Sequence, residues 1–476
     1  MKNYFLSLLL YSSIVFCSFG QIEESQSIDD IFIEWNKPDT PGAALGIVKD
    51  GSLVYSKGYG IGDLEHNIKI TPSSVFYIGS VSKQFVTFSI LLLEEQGKLN
   101  LDDKIQKYLP DFPEYDSALT IRHFIHHTSG VRDYLTLMYL KGRNYLDKTE
   151  ENEVYELIKK QKELNFSPGE KYLYSNSCYF MLAMIIEKAA GQSLKIFAHE
   201  NIFEPLGMKN SLFYDDNTDL IKNRVFSYKK KNNKEGFDNL IMRFDLVGSG
   251  GVYSNIEDLF LWDQNFYNNK LGKGGQKIIN KMHTEGMLNN GKSSGYAFAL
   301  NNGIYRGLKT VSHGGSLAGY RAQLMRFPEE KTSIIVLANR GDSDPTGKSF
   351  QIADIILKTK FTEEVELKKE NTTNQNINTK PDKLLSKSST TKLNNYTGSY
   401  YSEELDINYL IKLKDEKLKV KIANYHPQEL LELENDIFSI DNGLIRFDRK
   451  NGMIVGFELN AGRVTNLKFE KNEIKF

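Results

Sequence analysis

The chain has 476 residues, is 40% hydrophobic and 12% aromatic, and carries a formal net charge of -1. That length and apolar content suffice for a large core and two domains. The balanced charge gives no reason to expect nucleic acid or an anionic membrane as a partner.

In chain order, residues 1–20 read as a signal peptide: Lys2, an apolar stretch from Phe5 to Phe16, then the small residues Ser18 and Gly20, with cleavage expected before Gln21. The bulky Phe16 argues against a lipoprotein at Cys17. Loss of the leader leaves Cys178 as the only cysteine, so no intramolecular disulfide is expected. No later apolar run reaches the roughly 18 residues that span a bilayer. The mature protein is expected to be exported, periplasmic or secreted, without a transmembrane segment.

Residues 21–360 read as the main domain. Ala43 to Val48 and Leu53 to Lys57 alternate like strands around Lys49-Asp50-Gly51, a hairpin signal. Phe85 to Leu93 is an apolar helical run that stops at Gly97, and Phe180 to Ala190 is another, with Gly191 as its stop. Tyr320 to Phe327 and Thr332 to Ala338 flank a turn at Pro328 to Lys331, and Phe350 to Leu357 reads as a closing helix. Strands at both ends of a helical middle imply one sheet built from distant segments, with a helical subdomain inserted. Residues 361–392 are rich in Lys, Glu, Asn, Thr and Ser and read as a solvated linker. Beyond them, residues 393–476 alternate in short runs between turns such as Asp441-Asn442-Gly443 and Lys450-Asn451-Gly452, the pattern of a small barrel or sandwich. The fold class expected is therefore α+β, an antiparallel sheet flanked by helices plus a C-terminal all-β domain.

Ser80-Val81-Ser82-Lys83 is the chemical centre of this reading. Residues three apart on a helix are surface neighbours, so a nucleophile and its base share one face. A lysine serves as base only when burial or nearby positive charge keeps it neutral. The tetrapeptide recurs at Ser389 to Lys392, in a polar tract without a helical apolar face. Two further pieces accompany the first copy: Tyr174-Ser175-Asn176 after a turn-rich approach, and His313-Gly314-Gly315-Ser316 in a strand-like region whose glycines let another backbone approach.

In order, these motifs resemble those of the serine β-lactamase and penicillin-binding-protein superfamily, nearest its class C-like branch with D-Ala-D-Ala carboxypeptidases, D-aminopeptidases and esterases. Thr120 to Gly130 and Gly250 to Ser254 resemble it too, over about residues 28 to 358. The resemblance implies a transpeptidase-like fold and an acyl-enzyme on Ser80, with Lys83 and Tyr174 sharing the proton traffic and either one as acylation base. It implies that Asn176 orients Lys83 or the substrate amide, and that His313, Gly315 and Ser316 bind substrate. The Ser80 and Ser316 N–H groups would form the oxyanion hole. His313 stands where a lysine is more usual, which puts efficient β-lactam hydrolysis in doubt, and Arg321 is a candidate for the missing cation.

Two other signals are weaker. His123, His126 and His127 have zinc-like spacing but no carboxylate partner nearby, so no metal and no cofactor is expected. Gly341 to Ser349 nearly imitates a phosphate-binding loop, with five residues between its glycines where four are required. The leading expectation is an exported serine hydrolase of D-amino-acid peptides, its substrate a small peptide, an ester or a peptidoglycan fragment. A carboxylesterase, a weak β-lactamase and a catalytically silent cell-wall binder are the alternatives.

Overall fold

The computed structural model describes residues 23–144, 146–362 and 390–472. The expected signal peptide and most of the expected linker lie outside them, as does Ser389 of the second S-x-x-K.

Ala43–Lys49 and Ser52–Tyr59 form the expected hairpin. Asp50 and Gly51 take φ values of 47° and 80°, the backbone of a two-residue turn whose twist suits the flanking strands. The first strand also pairs antiparallel with Thr332–Ala338, setting Ala43 opposite Ala338. The six-stranded sheet then runs outward through Tyr320–Phe327 and Leu308–Leu317 to Asn301–Tyr305. Both faces are covered. Ile334 and Val336 pack with Ile28 and Ile352 of the terminal helices, while Ile335 and Leu337 pack with Ile256 and Trp262. Covered on two sides, Thr332–Ala338 is buried without alternation and apolar from Ile334 onward.

Between Tyr59 and Asn301 the chain is mainly helical, around Lys83–Glu95 and Asn176–Ala190, which pack on each other. Gly191 ends the second with φ of 76°, in the left-handed region that favours glycine. The closing helix is Pro345–Ile356, five residues earlier than apolar periodicity suggests. Proline stands in its first turn and the Asp344 side chain accepts from Gly347 N at 2.9 Å. The phosphate-loop imitation is thus an aspartate-capped strand-to-helix connection.

Among the described residues, eight antiparallel strands from Gly398–Ser402 to Val464–Lys471 close into a barrel. Tyr400, Tyr409, Phe457 and Phe469 are buried inside it, with ring centroids 4.4 to 6.4 Å apart, so its interior is a packed core. Its rim is clamped to the main domain. Arg132, fully buried, donates to Glu404 at 2.7 Å and to the Asn466 carbonyl at 3.0 Å. Tyr409 and Tyr425 donate to the Leu140 and Arg143 carbonyls at 2.7 and 2.9 Å.

Candidate active site

The turn Gly79–Ser82 leads directly into the helix Lys83–Glu95, which puts Ser80 and Lys83 one turn apart. Ser80 is partly exposed and Lys83 is fully buried. Lys83 Nζ lies 3.1 Å from Ser80 Oγ and donates to Asn176 Oδ1 at 3.0 Å and to the Ser249 carbonyl. Burial, then the Arg463 guanidinium, hold the Lys83 ammonium well below the ordinary lysine range, against the opposing pull of Asp133. Burial thus favours the neutral form of the amine beside the serine, the form that accepts a proton.

Asn176 is held in turn by Asp133, whose carboxylate accepts from the Asn176 N–H at 2.7 Å and from its side-chain amide at 2.8 Å. Asp133 also caps the helix Tyr134–Leu140. Its position just ahead of an apolar run was a readable capping signal, though its role behind Asn176 was not.

Tyr174 completes the cluster. Its ring centroid is 4.9 Å from Lys83 Nζ, and its buried hydroxyl makes no well-formed hydrogen bond to a described residue, with the Ser80 hydroxyl near it. Burial pushes this phenol well up, opposed by that nearby Ser80 hydroxyl and by the Arg463 guanidinium. His127, at a φ of 55°, accepts from Ser175 N at 3.1 Å and lies 4.1 Å centroid to centroid from Tyr174, so it positions the tyrosine loop. A strained non-glycine backbone at this point is a local sign of a constrained site.

His313 lies on the strand Leu308–Leu317 and is buried. Its Nδ1 is 2.6 Å from the Gly314 carbonyl, which only accepts, so Nδ1 carries the proton and Nε2 accepts from the Tyr296 hydroxyl at 2.8 Å. Burial, then Lys83, push it down to about 4. His313 is a neutral strut and offers no cation.

Gly315 and Ser316 stand against the nucleophile's turn. A Cβ on Gly315 would fall 1.9 Å from the Ile78 carbonyl and 3.1 Å from Ser80 N, and one on Gly79 would fall 2.5 Å from Ser316 N. Only two glycines let these backbones close, and the closure sets the turn that carries Ser80 against the Gly315–Ser316 backbone. Arg321 pairs with Ser316 in register, but its guanidinium donates to the Ala318 and Tyr320 carbonyls at 2.9 and 2.7 Å.

The three histidines of the zinc-like pattern are divided among separate tasks. His123 shares a capping box with Thr120, His126 Nδ1 meets the Tyr296 carbonyl, and His127 holds the tyrosine loop. Among the described residues no group of His, Cys, Asp and Glu is arranged to hold a metal.

A family model described as Beta-lactamase matches residues 28–355. Penicillin-binding protein 4* of Bacillus subtilis (strain 168) is 30% identical over 308 residues, covering 61% of this chain and 66% of the relative. A D-aminopeptidase of Brucella anthropi is 29% identical over 316 residues, covering 66% and 59%. The chain thus spans less than two thirds of the length of these curated relatives. Among solved structures, the octameric penicillin-binding protein homologue from Pyrococcus abyssi shares the fold, with a TM-score of 0.62 at 22% identity over 94% of this chain and 98% of that one.

Proposed function

This chain belongs to the beta-lactamase family, and from that premise we propose that it is a serine hydrolase that forms an acyl-enzyme on Ser80 and cleaves amide bonds of D-amino-acid peptides. The observation that carries this reading is the buried Lys83 amine 3.1 Å from Ser80 Oγ. Ser80 Oγ attacks the carbonyl carbon and its proton passes to Lys83, whose depressed ammonium favours the lysine over Tyr174 as the acceptor. The Ser80 and Ser316 N–H groups meet the oxyanion, and one such donor is worth about 3–4 kcal/mol. Tyr174, held protonated by burial, relays a proton to the departing amine. Water then attacks the ester on Ser80, with Lys83 again taking the proton.

The amide preference draws on the relatives, a penicillin-binding protein and a D-aminopeptidase. The N-terminal stretch from Lys2 to Gly20 supports export to the periplasm or the medium. No helix among the described residues is long and apolar enough to cross a membrane. An esterase is the second reading, favoured by the neutral His313, which makes no demand for a substrate carboxylate.

The test is intact-mass labelling with a fluorophosphonate, followed by mapping of the modified residue and assay on diacetyl-L-lysyl-D-alanyl-D-alanine and p-nitrophenyl acetate. A single adduct on Ser80, absent in Ser80→Ala, together with release of D-alanine, is the expected result. Turnover of the acetate alone moves the assignment to esterase. No adduct and no turnover leaves a binding protein.

A further inference from the structure

The barrel reaches the site through one hairpin. Met453–Ala461 and Val464–Lys471 are joined by Gly462 and Arg463, and Gly462 takes a φ of 55°, as the first residue of a tight hairpin turn does. This places Arg463 at the tip. Its guanidinium carbon is 4.7 Å from the Tyr174 ring centroid, the same ring that has Lys83 Nζ at 4.9 Å. Its main chain is fixed. The Arg463 carbonyl accepts from Asn165 Nδ2 at 3.0 Å, and Thr465 N donates to Asn165 Oδ1 at 2.8 Å.

Apart from the Tyr174 ring, the side chain is held by charge. Asp133 Oδ2 is 3.6 Å from Arg463 Nη1, beyond hydrogen-bond reach, and the Arg463 side chain is 26% exposed. The Asp133 oxygens are already occupied by Asn176 N and Nδ2 and by Thr136 N and Oγ1. The guanidinium fork makes no hydrogen bond to a described residue, and its planar donors match a carboxylate bidentately. With His313 neutral and Arg321 donating to the Ala318 and Tyr320 carbonyls, Arg463 is, among the described residues, the guanidinium on the Tyr174 ring beside Ser80 and Lys83.

We propose that Arg463 is the subsite for a substrate carboxylate, so that the barrel selects acyl donors ending in a free carboxylate, such as peptides with a C-terminal D-residue. This rests on the hydrolase reading above and narrows it. A guanidinium at the cluster attracts the carboxylate of a carboxypeptidase substrate and repels the free ammonium that an aminopeptidase must accept. Arg463 is then a specificity residue supplied by a domain that carries none of the chemical motifs.

The experiment compares diacetyl-L-lysyl-D-alanyl-D-alanine with its C-terminal amide on the full chain. The readout is the ratio of kcat/KM for acid over amide in the wild type, Arg463→Ala and Arg463→Lys. A charged hydrogen bond corresponds to roughly a ten- to hundredfold preference. The expected result is that Arg463→Ala lowers the acid-to-amide ratio by that factor, through KM, and that Arg463→Lys recovers part of it. An unchanged ratio overturns the proposal, and so does an equal fall on both substrates, which marks Arg463 as a support for Lys83 and Tyr174 instead. Calorimetric binding of the same pair to Ser80→Ala, with and without Arg463→Ala, reads the subsite without chemistry. A wild type inert on both peptides whose Ser80→Ala form still prefers the acid through Arg463 sinks the hydrolase reading and keeps the subsite. No acid preference in binding or in turnover sinks the subsite alone.

Discussion

The position of Arg463 depends on barrel docking, and the buried pair Arg132–Glu404 is where that docking is most exposed to attack. Arg132 is 0% exposed and Glu404 6%. Glu404→Ala removes the acceptor 2.7 Å from the guanidinium and leaves it with two neutral acceptors, Gln161 Oε1 at 2.9 Å and the Asn466 carbonyl at 3.0 Å. Stranding one partner of a buried ion pair costs about 3–5 kcal/mol, and the two remaining acceptors put this case near 3. Lys162 N also loses its bond to Glu404, a further cost of about 1 kcal/mol. At about 1.4 kcal/mol per decade, the docked fraction falls by roughly 10²–10³ relative to open forms. Both tryptophans, Trp35 and Trp262, lie in the main domain, so their fluorescence reports that domain and circular dichroism reports both. Urea titration of Glu404→Ala is expected to show a dichroism transition that precedes the tryptophan one. The double variant Arg132→Met/Glu404→Leu, which removes both charges, is expected to regain most of the loss. A single coincident transition displaced by less than about 1 kcal/mol refutes the reasoning, because the pair then does not hold the barrel in place.

Three further outcomes follow from the site. Tyr174→Phe is expected to lower kcat by roughly 10²–10³ and, because it deletes a buried hydroxyl without a well-formed hydrogen bond, to raise stability by about 1 kcal/mol in urea titration; a variant both slower and less stable counts against the relay. Gly315→Ala drives a Cβ into the Ile78 carbonyl, so it is expected to cost 10²-fold or more in turnover of a neutral ester (roughly one oxyanion donor) and to lower the urea midpoint. Burial depresses His313 to about 4, so the folded state favours its neutral form. Its contribution is fully present above the unfolded value of about 6.5 and is lost as pH falls toward 4, up to about 3 kcal/mol. His313→Gln is therefore expected to flatten the fall of the urea midpoint between pH 7 and pH 4.5, and an unaltered slope removes the histidine from that account.

What was legible in the sequence is what a few neighbouring residues decide. Asp50-Gly51 sets a hairpin, Gly191 stops a helix, and Ser80 and Lys83 share a turn because three residues separate them. The barrel's turns are of this kind too, with Asn442 and Asn451 at φ values of 62° and 52°. Periodicity misplaced the start of Pro345–Ile356 because the first turn is set by a proline and an aspartate cap and carries no apolar stripe. The cation of the site is a different matter. Proximity in sequence points to Arg321, just past His313, but the strand turns its guanidinium onto the Ala318 and Tyr320 carbonyls. The arginine that does reach the Tyr174 ring is Arg463, at the tip of a hairpin whose local pattern is that of any two-residue turn. Nothing within the hairpin marks it. Its place is fixed by Asn165, Arg132 and Glu404, each contributed by a segment remote in sequence. Interdomain contacts of that kind leave no periodic trace, so the approach of Arg463 to the Tyr174 ring is legible only once the barrel is docked.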